Sequence, residues 1–315
     1  MTYILFIVGF YFLIKGADWL VDGASSVAKK FKVSDLMIGL TIVSFGTSAP
    51  ELIVNLFASF QGSSDLAIAN VVGSNISNVL LILGIAALIY PLSVRKGTVT
   101  KEIPLSLLAA VVLWFMANDA MIDKVGESAL TRIDGAVLLM FFIIFLYYTF
   151  GIAKIEGSGD EIKEHPGWKS ALMIVAGMIG LGLGGQWIVN GAIEIAQKFG
   201  MSESMIGLTV VAIGTSLPEL AASAVAAAKH KADIAIGNVV GSNIFNVFWI
   251  LGLSSIIKPL YFSPMLNFDI YFMAVITVIL LAFMFIGHRN VLQRWQGGAL
   301  VGIYAAYIIY LVIRG

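Results

Sequence analysis

Apolar residues run along this 315-residue chain in long stretches that contain few or no charges. A bilayer core about 30 Å thick is crossed by a helix of roughly 20 apolar residues. The hydrophobic pattern therefore predicts ten membrane-spanning helices. Their approximate limits are 2–26, 33–58, 66–91, 103–118, 131–152, 168–195, 201–227, 234–257, 268–287 and 297–313.

A 168-residue internal repeat organises these stretches. When residues 33–92 are aligned with 201–260, 32 of 60 positions are identical. Since 168 residues carry five spans, an odd number, the second copy must enter the membrane from the opposite face. We expect two inverted five-helix repeats, 1–152 and 169–315, joined by a charged cytoplasmic linker at 153–168.

Composition supports this all-α integral membrane protein and excludes several other classes. The chain is 59% hydrophobic and 12% charged, against about 25% charged in a soluble domain. Its 19 basic and 19 acidic side chains balance, so nothing predicts a nucleic-acid partner.

Cysteine is absent, which excludes disulfides, thiolate metal sites and thiol nucleophiles. The three histidines lie in polar connections, so an intramembrane Ser/His protease has no base in the spans. We expect no enzymatic activity and no cofactor.

The distribution of Lys and Arg predicts the orientation. Thirteen lie in the connections after spans 1, 3, 5, 7 and 9, and five lie on the opposite side. Because cytoplasmic loops carry the excess of Lys and Arg, both termini are expected outside.

The motif GTSAPEL at 46–52 recurs as GTSLPEL at 214–220, and each copy places an acid inside an apolar span. A carboxylate at membrane depth costs at least about 2.5–3.5 kcal/mol, so Glu51 and Glu219 are predicted to be functional. We expect them to face each other across the two-fold relation and to share one cation. The alternative is that both are protonated and donate hydrogen bonds between helices.

Pro50 and Pro218 precede these acids directly. A proline inside a helix removes one backbone hydrogen bond, so a kink is predicted here that loosens the carbonyls of Thr47 and Thr215.

A second repeated motif occurs as NVVGSNISN at 70–78 and NVVGSNIFN at 238–246. Together with the first motif, it supplies candidate ligands whose donor atoms are all oxygens. Calcium takes about 6–8 oxygen ligands, and the remaining neutral oxygens suit sodium. Each hydroxyl taken alone could equally bond its own backbone. The candidate side chains outside the two acids are Thr47, Ser48, Ser74, Asn78, Thr215, Ser216, Ser242 and Asn246.

Together, the paired GTSxPE and GSNIxN motifs, the ten spans and the inverted repeats resemble the sodium/calcium exchanger family, particularly its short prokaryotic members. The resemblance implies that Glu51 and Glu219 coordinate calcium, beside the carbonyls of Thr47 and Thr215. It implies that Asn78 and Asn246 are central polar residues. It also implies a set of sodium ligands: Ser48, Ser74, Ser216, Ser242 and the carbonyl of Ala212.

The chain departs from this pattern at Asn246, where a known archaeal member has an aspartate. The centre therefore holds two acids rather than three. Proton-coupled relatives typically carry a GNxxE pattern that these positions lack, which favours sodium coupling.

The resemblance implies a prokaryotic inner-membrane antiporter that expels calcium as sodium flows in, by alternating access. Its substrates are calcium and sodium, and it lies in a lipid bilayer. The oligomeric state stays open, although a monomer fits. The alternatives are a calcium/proton exchanger of the same fold and a cation channel.

Overall fold

The structure is a computed structural model that describes residues 2–124, 127–152, 165–199 and 212–314. Most of these residues are helical. The first half contains α1 (Thr2–Phe31), α2 (Asp35–Thr47), α3 (Ala49–Gln61), α4 (Ser64–Ile89), α5 (Thr98–Met116), α6 (Asp119–Asp123) and α7 (Arg132–Ile152).

The second half repeats this order, except that no helix of its described residues corresponds to α6. It contains α8 (Gly167–Lys198), α9 (Ala212–Thr215), α10 (Leu217–Ala228), α11 (Ala232–Ile257), α12 (Asn267–Phe283) and α13 (Arg294–Arg314). In the described part of the chain, four two-residue strands lie in the connections: β1 (Leu92–Ser93), β2 (Ala129–Leu130), β3 (Leu260–Tyr261) and β4 (Val291–Leu292).

Eight of the described helices are long and apolar enough to cross a membrane, namely α1, α4, α5, α7, α8, α11, α12 and α13. The pair α2 and α3 is a ninth candidate that is bent by 48°. The multi-pass, all-helical architecture is thereby confirmed. The predicted seventh span, 201–227, is described only as α9 and α10, because 201–211 lie outside the described residues, as do 153–164 of the predicted linker. The count of ten spans stays a prediction.

Some helices begin earlier than hydropathy predicts. α5 begins at Thr98 rather than at 103, because the polar turn Thr98–Glu102 is helical and buries Thr98 and Glu102 against the protein. Tyr148 of α7 donates a hydrogen bond to the Glu102 carboxylate, so this acid is accommodated inside the protein.

Two helices form the centre of the molecule. In the apolar stretches of α4 and α11, 72% and 94% of the residues are buried, against 28–39% in the other six of the eight single-helix spans. The surrounding helices expose large apolar side chains, such as Ile143 and Ile144 of α7. Such faces are suited to lipid, whereas α4 and α11 pack against protein on nearly all sides.

The strands join the two halves in a reciprocal pattern. β1 pairs with β4, and β2 pairs with β3, both antiparallel. A shift of 168 residues carries β1 onto β3, and both β2 and β4 precede the last helix of their half. In each pair, a strand that follows the central helix of one half binds a strand that precedes the last helix of the other half. This reciprocal pairing is typical of a two-fold relation.

Helices α1 and α8 pack closely along their length. A Cβ placed on Gly16 would lie 2.7 Å from the Leu181 nitrogen, and one on Gly177 would lie 2.7 Å from the Gly16 oxygen. Only glycine allows this approach. Lys229, the residue after α10, binds α1 through its Nζ, which lies 2.5 Å from Asp18 Oδ1 and 2.6 Å from Asp22 Oδ1.

Candidate cation site between the two halves

Each half contains a helix that is interrupted next to its buried glutamate. Ser48 separates α2 from α3 with φ −81° and ψ 8°. Ser216 separates α9 from α10 with φ −87° and ψ 3°. The two interruptions are thus equivalent in position and in backbone conformation.

The prolines lie just beyond these interruptions. Pro50 and Pro218 occupy the first turns of α3 and α10. The predicted kink is present in the first half, where α2 and α3 are bent by 48° at Ser48, although the Ser48 and Leu52 N–H groups still donate to the carbonyls four residues back. Proline is well accommodated in a first turn, because the first N–H groups of a helix have no intrahelical acceptor. The preceding helices end at Thr47 and Thr215, and helix carboxyl ends carry partial negative charge.

Glu51 and Glu219 lie in the first turns of α3 and α10, and each is only 1% exposed. The amino end of a helix stabilises a carboxylate. Among the described residues neither acid pairs with Lys or Arg, whose ion pairs lie elsewhere, as in Arg95 with Asp233. Two buried carboxylates without a basic partner form an arrangement whose charge a bound cation would neutralise.

Ser48 connects the two halves at this point. Its Oγ donates a hydrogen bond to Glu219 Oε1 at 2.9 Å and lies 3.0 Å from Ser242 Oγ of α11. The equivalent hydroxyl, Ser216 Oγ, is buried and has no hydrogen-bond partner in the described part of the chain. The contacts of the two serines are therefore asymmetric.

Thr47 and Thr215, at the ends of α2 and α9, have different degrees of burial. Thr47 is fully buried, and its Oγ1 donates to Asn238 Oδ1 at 3.0 Å, while Asn238 Nδ2 donates to the Glu219 carbonyl at 3.3 Å. Asn238 thus holds α11 against both broken helices. Thr215 is half-buried. Ala212 begins α9, directly after residues that the structure does not describe.

Four asparagines link α4 and α11 in a reciprocal pattern. Asn75 Nδ2 donates to the Asn243 carbonyl at 3.1 Å, and Asn243 Nδ2 donates to the Asn75 carbonyl at 3.4 Å. Asn78 Nδ2 donates to Asn243 Oδ1 at 2.9 Å, and Asn246 Nδ2 donates to Asn75 Oδ1 at 3.0 Å. Each bond is matched by one shifted by 168 residues, so the contact between these two helices is reciprocal.

Both central helices change geometry at this level. π-Helical turns occupy Asn78–Ile82 in α4 and Phe245–Leu251 in α11. Such turns occur frequently at functional sites, because they loosen the regular backbone ladder.

Six buried oxygens of the predicted site have no hydrogen-bond partner among the described residues. They are Glu51 Oε2, Glu219 Oε2, Ser74 Oγ, Ser216 Oγ, Asn78 Oδ1 and Asn246 Oδ1. A buried polar atom without a partner is costly. These atoms are carboxylate, amide and hydroxyl oxygens, which are the ligands that calcium and sodium prefer. No group of three or more His, Cys, Asp or Glu suited to a metal occurs in the described ranges, so this candidate site rests on two acids and neutral oxygens.

Asn75, Asn238 and Asn243 were not among the predicted site residues. A signal was available for two of them, since Asn75 precedes Asn78 by three residues and Asn243 precedes Asn246 by three. Residues at that spacing share a helix face. No local pattern indicates that Asn238 contacts Thr47, because 191 residues separate them.

A family profile described as sodium/calcium exchanger protein matches residues 1–151 and 169–313. The chain is 34% identical over 346 residues to the sodium/calcium exchanger MaX1 of Methanosarcina acetivorans, covering 99% of this chain and 98% of that protein. It is 39% identical over 272 residues to the inner membrane protein YrbG of Escherichia coli, covering 83% of this chain and 81% of that protein.

The fold agrees with these sequence relationships. The structure superposes on that of the sodium-calcium exchanger NCX_Mj with a TM-score of 0.84 and 31% sequence identity, covering 98% of this chain and 97% of that one. The named functions among these proteins are ion exchange, which disfavours a channel and excludes an enzyme. The profile, the relatives and the fold agree that this chain belongs to the sodium/calcium exchanger family.

Proposed function

We propose that this protein exchanges calcium for sodium across the membrane at one site between its two halves. The observation that carries the proposal is the pair Glu51 and Glu219, buried at equivalent helix starts with no basic partner among the described residues. MaX1 is named a sodium/calcium exchanger, and NCX_Mj was studied after soaking with Na+ and Ca2+, which supports the same pair of substrates here.

In this proposal calcium binds between the two carboxylates, with the carbonyls of Thr47 and Thr215 beside them and the amide oxygens of Asn78 and Asn246 at the centre. Sodium ions occupy overlapping positions on either side. Their ligands are Ser48, Ser74, Ser216, Ser242 and the Ala212 carbonyl.

Charge balance couples the two ions. One calcium ion or a full complement of sodium ions neutralises the acids, so the loaded site can change its exposure from one side to the other. The empty site carries two uncompensated carboxylates, and burying them away from water is unfavourable. An ion shifts the equilibrium between the two orientations only through its different affinity for each.

We further propose that ten helices form two inverted repeats. The reciprocal strand pairing and the reciprocal asparagine bonds support a two-fold relation between the halves. The excess of Lys and Arg in the odd-numbered connections supports a cytoplasmic linker and external termini. With that orientation, the sodium gradient drives calcium out of the cell.

The test is reconstitution into liposomes with radioactive calcium, where the sodium, proton and potassium gradients are varied separately. Calcium uptake that depends on an opposing sodium gradient is the expected result. Uptake driven by a pH gradient in sodium-free buffer would instead identify a calcium/proton exchanger. Calcium flux that needs no counter-ion would contradict exchange altogether.

A further inference from the structure

Asn75 and Asn243 contribute none of the six unpartnered oxygens, yet they bind the amides that do. We infer that Asn75 and Asn243 are positioning residues, each of which turns the amide oxygen of an asparagine on the opposite helix toward the cation. Asn75 positions Asn246, and Asn243 positions Asn78. The inference rests on the proposed function and specifies how its central amides are oriented.

The orientation of an amide determines whether it attracts or repels a cation. One end of an asparagine side chain is an acceptor oxygen, and the other is a donor NH2 group. In this structure the Nδ2 atoms of Asn78 and Asn246 are both engaged between α4 and α11. Their Oδ1 atoms are buried without a partner among the described residues, as a cation ligand requires.

Two backbone carbonyls fix this orientation. The Asn75 carbonyl can only accept, so Asn243 must present Nδ2 to it and therefore turns Oδ1 toward Asn78. Asn78 must then present its own Nδ2, which leaves its oxygen free. Reversing either amide would place two acceptors against each other.

The same sequence of bonds runs in the other direction. The Asn243 carbonyl accepts from Asn75 Nδ2, and Asn75 Oδ1 accepts from Asn246 Nδ2. The oxygen of each central asparagine is thus oriented by the opposite half of the protein. Cation affinity consequently depends on the contact between α4 and α11 as well as on the ligands themselves.

The test is a double-mutant cycle on the full-length purified protein, read by calorimetric titration with calcium. N75A is expected to weaken calcium binding by roughly tenfold, the effect of one hydrogen bond to a charged group. In an N246A background, the further loss on adding N75A should be less than about twofold, because the amide that Asn75 positions is gone. In an N78A background the roughly tenfold loss should persist, because Asn78 is positioned by Asn243.

Equal losses from N75A in the wild-type and N246A backgrounds would overturn the inference. The mirror cycle of N243A with N78A tests the same inference if N75A does not fold. If the wild-type protein binds no calcium, the proposed function fails. If it binds calcium and both cycles are additive, only the positioning role fails.

A matched control is available in Asn118 and Asn267, which exchange two 2.9 Å amide hydrogen bonds away from the candidate site. N118A also breaks a reciprocal asparagine pair, so it should lower the thermal unfolding temperature while leaving calcium affinity unchanged. A comparable loss of calcium affinity in N118A would attribute the N75A effect to general loosening and would also overturn the inference.

Discussion

Ser48 of the first half donates a 2.9 Å hydrogen bond to the carboxylate of Glu219 in the second half. Its counterpart Ser216 has a buried hydroxyl with no hydrogen-bond partner in the described ranges. Two residues at equivalent positions of a duplicated unit thus have different surroundings. In the ion-free protein they should differ in their contribution to stability.

Replacing each serine by alanine should reveal this difference. S48A removes a hydrogen bond to a carboxylate and is expected to destabilise the ion-free protein by about 1.5–3 kcal/mol. S216A removes a hydroxyl without a partner and should be neutral or slightly stabilising. Thermal unfolding in ion-free detergent solution measures both, and equal losses would contradict the asymmetry.

Glu51 and Glu219 should each be indispensable for calcium binding. E51Q and E219Q keep the shape of the side chain but remove a charge that is worth on the order of 4 kcal/mol per unit of cation charge at 4 Å and an effective dielectric constant of 20. Both variants are expected to fold and insert, and to lose calcium exchange in the liposome assay. Wild-type exchange by either variant would refute the site.

Asp269 supplies the matched control for these acids. It is also buried, at 4% exposure, but it accepts hydrogen bonds of 2.9 Å from both Tyr307 and Arg314. D269N removes the charge that pairs with Arg314, so it should lower the free energy of unfolding by about 2 kcal/mol. Calcium exchange by the folded D269N protein should continue.

Much of the candidate site could be predicted from local sequence, because its signals are local. A glutamate directly after a proline in an apolar span marks both a charge and a helix interruption, and the repeat shows the same pair twice. The size of the bend at Ser48, 48° between α2 and α3, was harder to predict than its position. Sequence places Pro50 near the disruption but does not say whether the helix axis continues.

The contacts between distant segments could not be predicted in this way. Lys229 binds Asp18 across 211 residues, and Asn78 binds Asn243 across 165. Such pairs depend on where helices cross, which is determined by packing of the whole bundle rather than by periodicity. The π-helical turn at Asn78–Ile82 likewise has no distinct hydrophobic pattern.

Asn246 should govern the balance between the transported ions. N246D adds a third carboxylate, so the site needs one more positive charge for neutrality, and the half-maximal sodium concentration should fall by at least about threefold. Sodium and proton dependence of calcium flux measures the change, with N78D as the variant at the equivalent position. An unchanged ion dependence in N246D would make that position peripheral.

The orientation in the membrane can be tested with single cysteines, because the natural chain contains none. β1 pairs with β4, so K96C and R289C, next to these strands, lie at one end of the molecule, and E127C and Y261C lie at the other with β2 and β3. The excess of Lys and Arg near the first pair predicts that it is cytoplasmic. A membrane-impermeant maleimide should therefore label E127C and Y261C in intact cells, and K96C and R289C only in inside-out vesicles.

The opposite labelling would reverse the orientation and with it the proposed direction of calcium transport. Labelling of K96C and R289C from opposite sides would contradict the strand pairing itself.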